Sequence, residues 1–344
     1  MKNINKLTCP SSEEEIKLHW KYFDRVYISC VCITYNHELY IRNALDSILA
    51  QKSEYQFELV IHDDCSTDST KDILLEYKNK FPNIIKLILQ EKNQHSQNKK
   101  ILPLTIPFAS GEFLAPCEGD DFWIDEYKIQ KQIKKMYQYK NINICFTSAE
   151  SLFNNSSSKT ISYHDNIERI FTIEQVIQGG GNFMPTASII IRTEILKSFP
   201  NLFYFAPIED YFLQICASLD SGALYIPDTT SVYRINSIGS WTSQRKLTPL
   251  EKIIKEGKLY IKTFNELKKF NIDHRIIDDQ IAKQHITLAT IAIRNNYLSE
   301  AKKLIKTSWF YSKRINKKQI ILYYLKDTLF TFRLAYIIKD KFTS

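Results

Sequence analysis

The first apolar run, Ile28-Ser29-Cys30-Val31-Cys32-Ile33-Thr34, is β-branched and ends at the polar break Tyr35-Asn36-His37, which predicts a buried strand and its exit loop. Beyond the break Leu39, Ile41, Ala44, Leu45, Ile48 and Leu49 recur at three- and four-residue spacing and paint one face of a helix. The unit then repeats. Residues 57–62 read as a buried strand, 63–68 as a loop, and 69–80 as a helix carrying Ile73, Leu74 and Tyr77. After the punctuation of Pro82-Asn83, residues 84–89 supply a third strand, and 112–117 form another short apolar run. Such alternation predicts a parallel sheet wrapped by helices. Ligands bind beyond the carboxyl ends of strands in such sheets, so Tyr35-Asn36, Asp63-Asp64 and Asp120-Asp121 converge on one rim.

Further along, 142–149 and 186–191 read as strands, with Gly179-Gly180-Gly181 between them allowing a backbone path closed to bulkier residues. The polar segments 93–100 and 154–158 read as surface connections. From about residue 250 the periodicity is helical over 251–268, 276–294 and 298–310, with a turn at Asn295-Asn296. The expected division is a catalytic domain over 1–245 and a basic helical region over 246–344.

A chain of 344 residues that is 44% hydrophobic can bury a full core. Its seven cysteines form no C-x-x-C pair and it opens on polar residues, so a cytoplasmic location is expected. No stretch of about 18 apolar residues lacks charge, which argues against a spanning helix. The net charge of +8 is uneven, because residues 245–344 hold 22 Lys/Arg against 9 Asp/Glu. A surface of that kind suits an anionic membrane or nucleic acid. Nucleic acid is set aside because the aromatic and basic residues there follow helical core spacing. The apolar tail over 317–342 reads either as an interfacial helix at the inner face of the cell membrane, or as a buried last helix or homodimer seam.

The chemistry concentrates in Glu118-Gly119-Asp120-Asp121, where several acids follow a hydrophobic strand. A divalent cation, Mn2+ or Mg2+, would relieve their repulsion and could bridge two phosphates of a diphosphate leaving group. Tyr35 at a strand tip can stack on a base, while Asp63 and Asp64 can take its N–H and a ribose hydroxyl. Plainer readings exist for each: Asp63-Asp64 as a helix cap, Asp120-Asp121 as part of an acidic helix start with Asp125 and Glu126, and Tyr35 as core packing.

Taken together, these segments resemble the family-2 glycosyltransferases of the GT-A fold, a Rossmann-like mixed α/β sheet flanked by helices. Val31-Cys32-Ile33-Thr34-Tyr35-Asn36 looks like the family's first strand and Tyr-Asn signature, and residues 59–68 look like its second motif. Glu118-Gly119-Asp120-Asp121-Phe122-Trp123 looks like a variant of its D-x-D metal motif. The resemblance covers roughly 25–245. It implies an inverting enzyme that moves a sugar from a nucleotide-diphosphate sugar, most often a UDP-sugar, to an acceptor hydroxyl of a glycan or lipid-linked glycan. Thr34, Tyr35, Asn36, Asp63, Asp64, Asp120 and Arg234 would then hold the donor, and Asp121 with Asp120 the metal. Asp210, in Ile208-Glu209-Asp210-Tyr211, is the expected general base with Glu209 as its substitute, since adjacent carboxylates raise each other's pKa. Met184-Pro185-Thr186 falls where the family makes acceptor contacts, and Gly239-Ser240-Trp241 resembles its late loop. Cys65 departs from the family by standing where Gly is common.

Two rivals carry different chemistry. A non-catalytic nucleotide-sugar or glycan-binding domain would keep the acids only to hold ligand. A sugar-phosphate nucleotidylyltransferase would need a Gly-rich basic loop after the first strand, where this chain has Tyr35-Asn36-His37-Glu38.

Overall fold

The computed structural model describes residues 4–153, 157–237 and 249–333. The first predicted strand is β1 (Ile28–Thr34), and it pairs in parallel with β2 (Phe57–Asp63), which pairs in parallel with β3 (Ile85–Leu89). On the other side of β1 lies β4 (Phe113–Glu118), also parallel. The remaining strands are β5 (Phe122–Trp123), β6 (Ile144–Phe153), β7 (Ser157–Ile161), β8 (Arg169–Phe171), β9 (Ile190–Arg192) and β10 (Ala223–Ile235). The sheet runs β3-β2-β1-β4-β9-β6-β10-β5, with β7 on β6 and β8 on β10. It is mixed, because β9 runs antiparallel to both β4 and β6.

β1 and β2 are buried nearly throughout, as strands covered on both faces must be. One face of the core joins Cys30 and Cys32 of β1, Leu59 and Ile61 of β2 and Cys117 of β4 to Ala44, Leu45 and Ile48 of the helix Ile41–Leu49. The helix begins at Ile41, so the expected helical Leu39 precedes it and is exposed. Residues 186–191 divide into a 3-10 turn, Thr186–Ser188, and β9, where the prediction had one strand. Ser157 and Ser158 belong to β7, paired to β6, where a loop was expected; polar composition concealed a hairpin arm whose partner is the buried β6.

Lys128 opens the helix Lys128–Gln138 and is fully buried, its Nζ 4.6 Å from the Trp123 ring centroid and without a hydrogen-bond partner. Burial pulls its pKa down to about 8. Below that pH the folded chain carries a desolvated ammonium, so Lys128→Met should stabilise the fold at neutral pH by on the order of 2 kcal/mol. The unfolded lysine keeps its proton to pH ~10.4, so wild-type stability rises between about 8 and that value and the advantage of Met shrinks. Urea midpoints near neutrality and above pH ~10 check this. A lower midpoint for Lys128→Met at neutral pH would contradict it.

The chain divides into two compact units, Met1–Pro200 with Glu209–Leu247, and Asn201–Ile208 with Thr248–Ser344. The second unit holds the helices Leu250–Leu267, His274–Arg294, Leu298–Tyr311 and Lys317–Tyr324. Asn296 takes a left-handed φ of 66° at the predicted turn. The tail does not run as one helix over 317–333: it stops at Tyr324 and turns before Leu329, which is buried with Leu322. Residues 334–342 of the predicted tail, Gly239-Ser240-Trp241 and the junction near 245 lie outside the described residues. Among the described residues no helix is long and apolar enough to cross a membrane.

Candidate active site

Strand register brings the site together. Thr34 lies opposite Asp63 and Ile33 opposite Glu118, so the exits of β1, β2 and β4 share one edge. The strand order reverses direction between β1 and β4, the topological position where open sheets leave a crevice. On the far side β5 pairs with β10, Phe122 opposite Val232, which brings Arg234 to Asp120-Asp121. Gly119 makes this closure possible: a Cβ there would lie 2.6 Å from Thr34 Oγ1 and 2.7 Å from His37 Nδ1.

The loops after β1 and β2 are bonded to each other. Asn36, at φ 54°, donates its N–H to Ser66 Oγ (2.9 Å) and accepts from the Thr67 N–H at Oδ1 (2.8 Å). The His37 N–H donates to Thr70 Oγ1 (2.9 Å), the Glu38 N–H to Asp68 Oδ2 (3.1 Å), and the Ser69 N–H to Glu38 Oε2 (2.9 Å). Asn36 is therefore a loop fastener, while Tyr35 beside it is half-buried. Cys65 holds the second loop at φ 68°, a left-handed conformation that costs a non-glycine residue about 1 kcal/mol or more. The loop thus holds Cys65 in a conformation that favours Gly.

The two acids of that loop are buried and bonded. Asp63 accepts from the Ser66 N–H (3.1 Å) and hydroxyl. Asp64 accepts the N–H groups of Gln94 (2.7 Å) and His95 (3.0 Å), and Asn93 donates to its carbonyl (3.0 Å). Neither acid caps the next helix; Asp68 instead accepts the Thr70 N–H. The polar connection 93–100 is thus tied to the rim.

Asp120 and Asp121 are buried beside Arg234. The Arg234 backbone N–H donates to Asp121 Oδ1 (2.9 Å), and its Nη1 donates to the Asp120 carbonyl (2.5 Å). The guanidinium lies between the rings of Tyr40 and Phe122, 5.1 and 4.6 Å from their centroids. Ser237 Oγ donates to Asp120 Oδ2 (2.5 Å). Asp121 Oδ2 is buried with no partner. Burial, reinforced by the Asp120 charge, pushes the Asp121 carboxyl well above the ordinary carboxylate range, against Arg234. Glu118 is raised by burial and by the charges of Asp210, Asp120, Asp121 and Glu209.

Those charges place the helix Glu209–Ser218 within electrostatic reach of the β4 exit. Glu209 accepts the N–H groups of Leu102 (3.2 Å) and Ile101 (3.4 Å), and burial raises its pKa to about 7 against the nearby Lys100 ammonium. The Asp210 pKa is raised by burial and lowered by a hydrogen bond from Thr186 and by Lys100. Segment 93–102 is therefore held by Asp64 at one end and Glu209 at the other. Lys100 and Ser237 escaped the sequence reading, since a lysine closing a polar run and a serine after a strand carry no local signal; only the fold brings them to the acids.

Among the described residues no group of three or more His, Cys, Asp or Glu is placed to hold a metal ion. A hard cation bound through one or two carboxylates plus substrate phosphates needs no such cage. The unpartnered Asp121 Oδ2 fits that mode, with Asp120 next to it. The rim thus brings buried carboxylates and an arginine bonded to two of them to one edge of the sheet.

A sequence model described as Glycosyl transferase family 2 matches residues 29–199. The uncharacterized protein Rv1520 of Mycobacterium tuberculosis is 31% identical over 218 residues, 63% of this chain and 61% of its own length. The chain thus spans about three fifths of that relative. The Escherichia coli UDP-Glc:alpha-D-GlcNAc-diphosphoundecaprenol beta-1,3-glucosyltransferase WfgD is 27% identical over 198 residues, 58% of this chain and 72% of WfgD. Among solved structures, Staphylococcus aureus TarS 1-349 in complex with UDP-GlcNAc superposes with a TM-score of 0.62 at 19% identity, covering 88% of this chain and 86% of that one. That likeness carries the GT-A fold.

Proposed function

The chain belongs to glycosyltransferase family 2, and on that premise we propose that it transfers a sugar from a nucleotide-diphosphate sugar, a UDP-sugar first among them, to a hydroxyl of a bacterial surface glycan with inversion. The supporting observation is the strand register that brings Asp63 and Glu118 to one sheet edge, with Arg234 bonded to Asp120 and Asp121 beside them. WfgD by its name uses a UDP-sugar, and the TarS structure holds one.

Inversion is a single in-line displacement: the acceptor oxygen bonds to the anomeric carbon as the bond to the diphosphate oxygen breaks. Asp210 takes the acceptor proton. Burial makes it a stronger base than a solvated carboxylate, while Lys100 and Thr186 favour its ionised form. Arg234 has its backbone and Nη1 committed to Asp121 and Asp120, so it orders the acids. Tyr35 offers its ring to the base of the nucleotide. Asp121, with Asp120 beside it, would hold a divalent cation, which would supply charge neutralisation to the departing diphosphate.

A donor-hydrolysis screen over UDP-, GDP- and dTDP-sugars with Mn2+ or Mg2+ tests the reading. One UDP-sugar should turn over with added metal and cease to do so on chelation. Donor binding without turnover under any metal or acceptor would favour the binding-only domain. Formation of a nucleotide sugar from a sugar phosphate and a nucleoside triphosphate would favour the nucleotidylyltransferase.

A further inference from the structure

The helical unit carries a surface that sugar transfer leaves unused. In the helix Leu298–Tyr311 the buried residues Ala301, Ile305 and Ser308 mark the inner stripe. Ser299, Lys303, Lys306 and Phe310 are exposed at steps of four, three and four, which stacks them on the opposite stripe. Phe310 is 84% exposed, an unusual setting for a large apolar ring. The helix Lys317–Tyr324 repeats the arrangement: Gln319 and Leu322 are buried, while Lys317, Ile321 and Tyr324 are exposed at steps of four and three. Leu325 and Phe330 beyond it are exposed as well. Trp309 stacks on Tyr323 with centroids 3.9 Å apart and meets Tyr324 edge-on at 5.9 Å, joining the two helices through an aromatic cluster.

Charge follows the same segment. Residues 298–333 hold nine Lys/Arg against two acids, Glu300 and Asp327, and both acids already face lysines, Lys303 and Lys302. We propose that this face, with Phe310, Ile321 and Tyr324 as apolar points and Lys303, Lys306 and Lys317 around them, seats the protein on an anionic lipid bilayer. Aromatic and aliphatic side chains enter the headgroup boundary while lysines keep their ammonium groups among lipid phosphates. A second copy fits less well, because an isologous contact would set like-charged stripes against each other. Nucleic acid would use the rings as stacking platforms but gains nothing from Ile321 and Leu325.

The full chain should sediment with vesicles of phosphatidylcholine doped with phosphatidylglycerol, and stay in solution with phosphatidylcholine alone. Phe310→Ser and, separately, Lys303→Glu with Lys306→Glu should each lower the partition coefficient about tenfold. Hydrolysis of a UDP-sugar in vesicle-free buffer reads the site chemistry independently, and it should be the same in all three proteins. Absence of binding to acidic vesicles, or partition that neither variant alters, would overturn the proposal. So would a concentration-dependent dimer dispersed by Phe310→Ser, or tighter retention on duplex DNA than on acidic vesicles.

Discussion

Asp210→Asn is expected to bind its UDP-sugar with affinity unchanged within about twofold and to transfer the sugar on the order of 10³-fold more slowly. The amide keeps the volume of the carboxylate and can still accept from Thr186. What it lacks is basicity, so the acceptor hydroxyl would have to lose its proton to water. Donor affinity by calorimetry and transfer by single-turnover quench separate the two effects. The wild-type rate should also decline on the acid side at a pH above the ordinary carboxylate range, since burial raises the Asp210 pKa. Normal transfer by Asp210→Asn would move the role to Glu209, whose pKa of about 7 suits it.

Asp121→Asn should fail in a different way. The amide oxygen can keep the Arg234 N–H bond, so the rim stays folded, but the charge that would carry a cation is gone. Turnover should drop on the order of 10²- to 10³-fold, and titration with Mn2+ should no longer raise donor affinity. Stability at neutral pH should not fall, because the wild-type carboxyl is buried and its pKa already lies well above the usual range. A metal response equal to wild type would transfer the ligand role to Glu118 or Asp120. The two variants therefore divide binding from proton transfer.

The doubly buried strands β1 and β2 were legible because continuous β-branched runs between polar breaks have few alternatives. The acids at their exits were legible because parallel topology puts strand ends on one edge. What could not be read were contacts made across the chain. Asp64 faces Gln94 and His95, and Glu209 faces Ile101 and Leu102, through backbone N–H groups that carry no residue identity. Arg234 could be read as a cation near the site. Its bonds to Asp120 and Asp121 follow from a two-residue strand, β5, too short for any periodicity. The hairpin arm at Ser157 was hidden for a similar reason, since its pairing depends on β6 and not on its own side chains.

The six hydrogen bonds that join the Asn36-His37-Glu38 loop to the Ser66–Thr70 loop bear on affinity before any donor arrives. Both loops spend their conformational entropy when the chain folds. On the proposed function, a nucleotide meeting them would find a rigid floor and would lose little of its binding free energy to ordering the protein. Under that proposal, tight donor capture would arise from few direct contacts, and recognition of the acceptor would govern which glycan is extended.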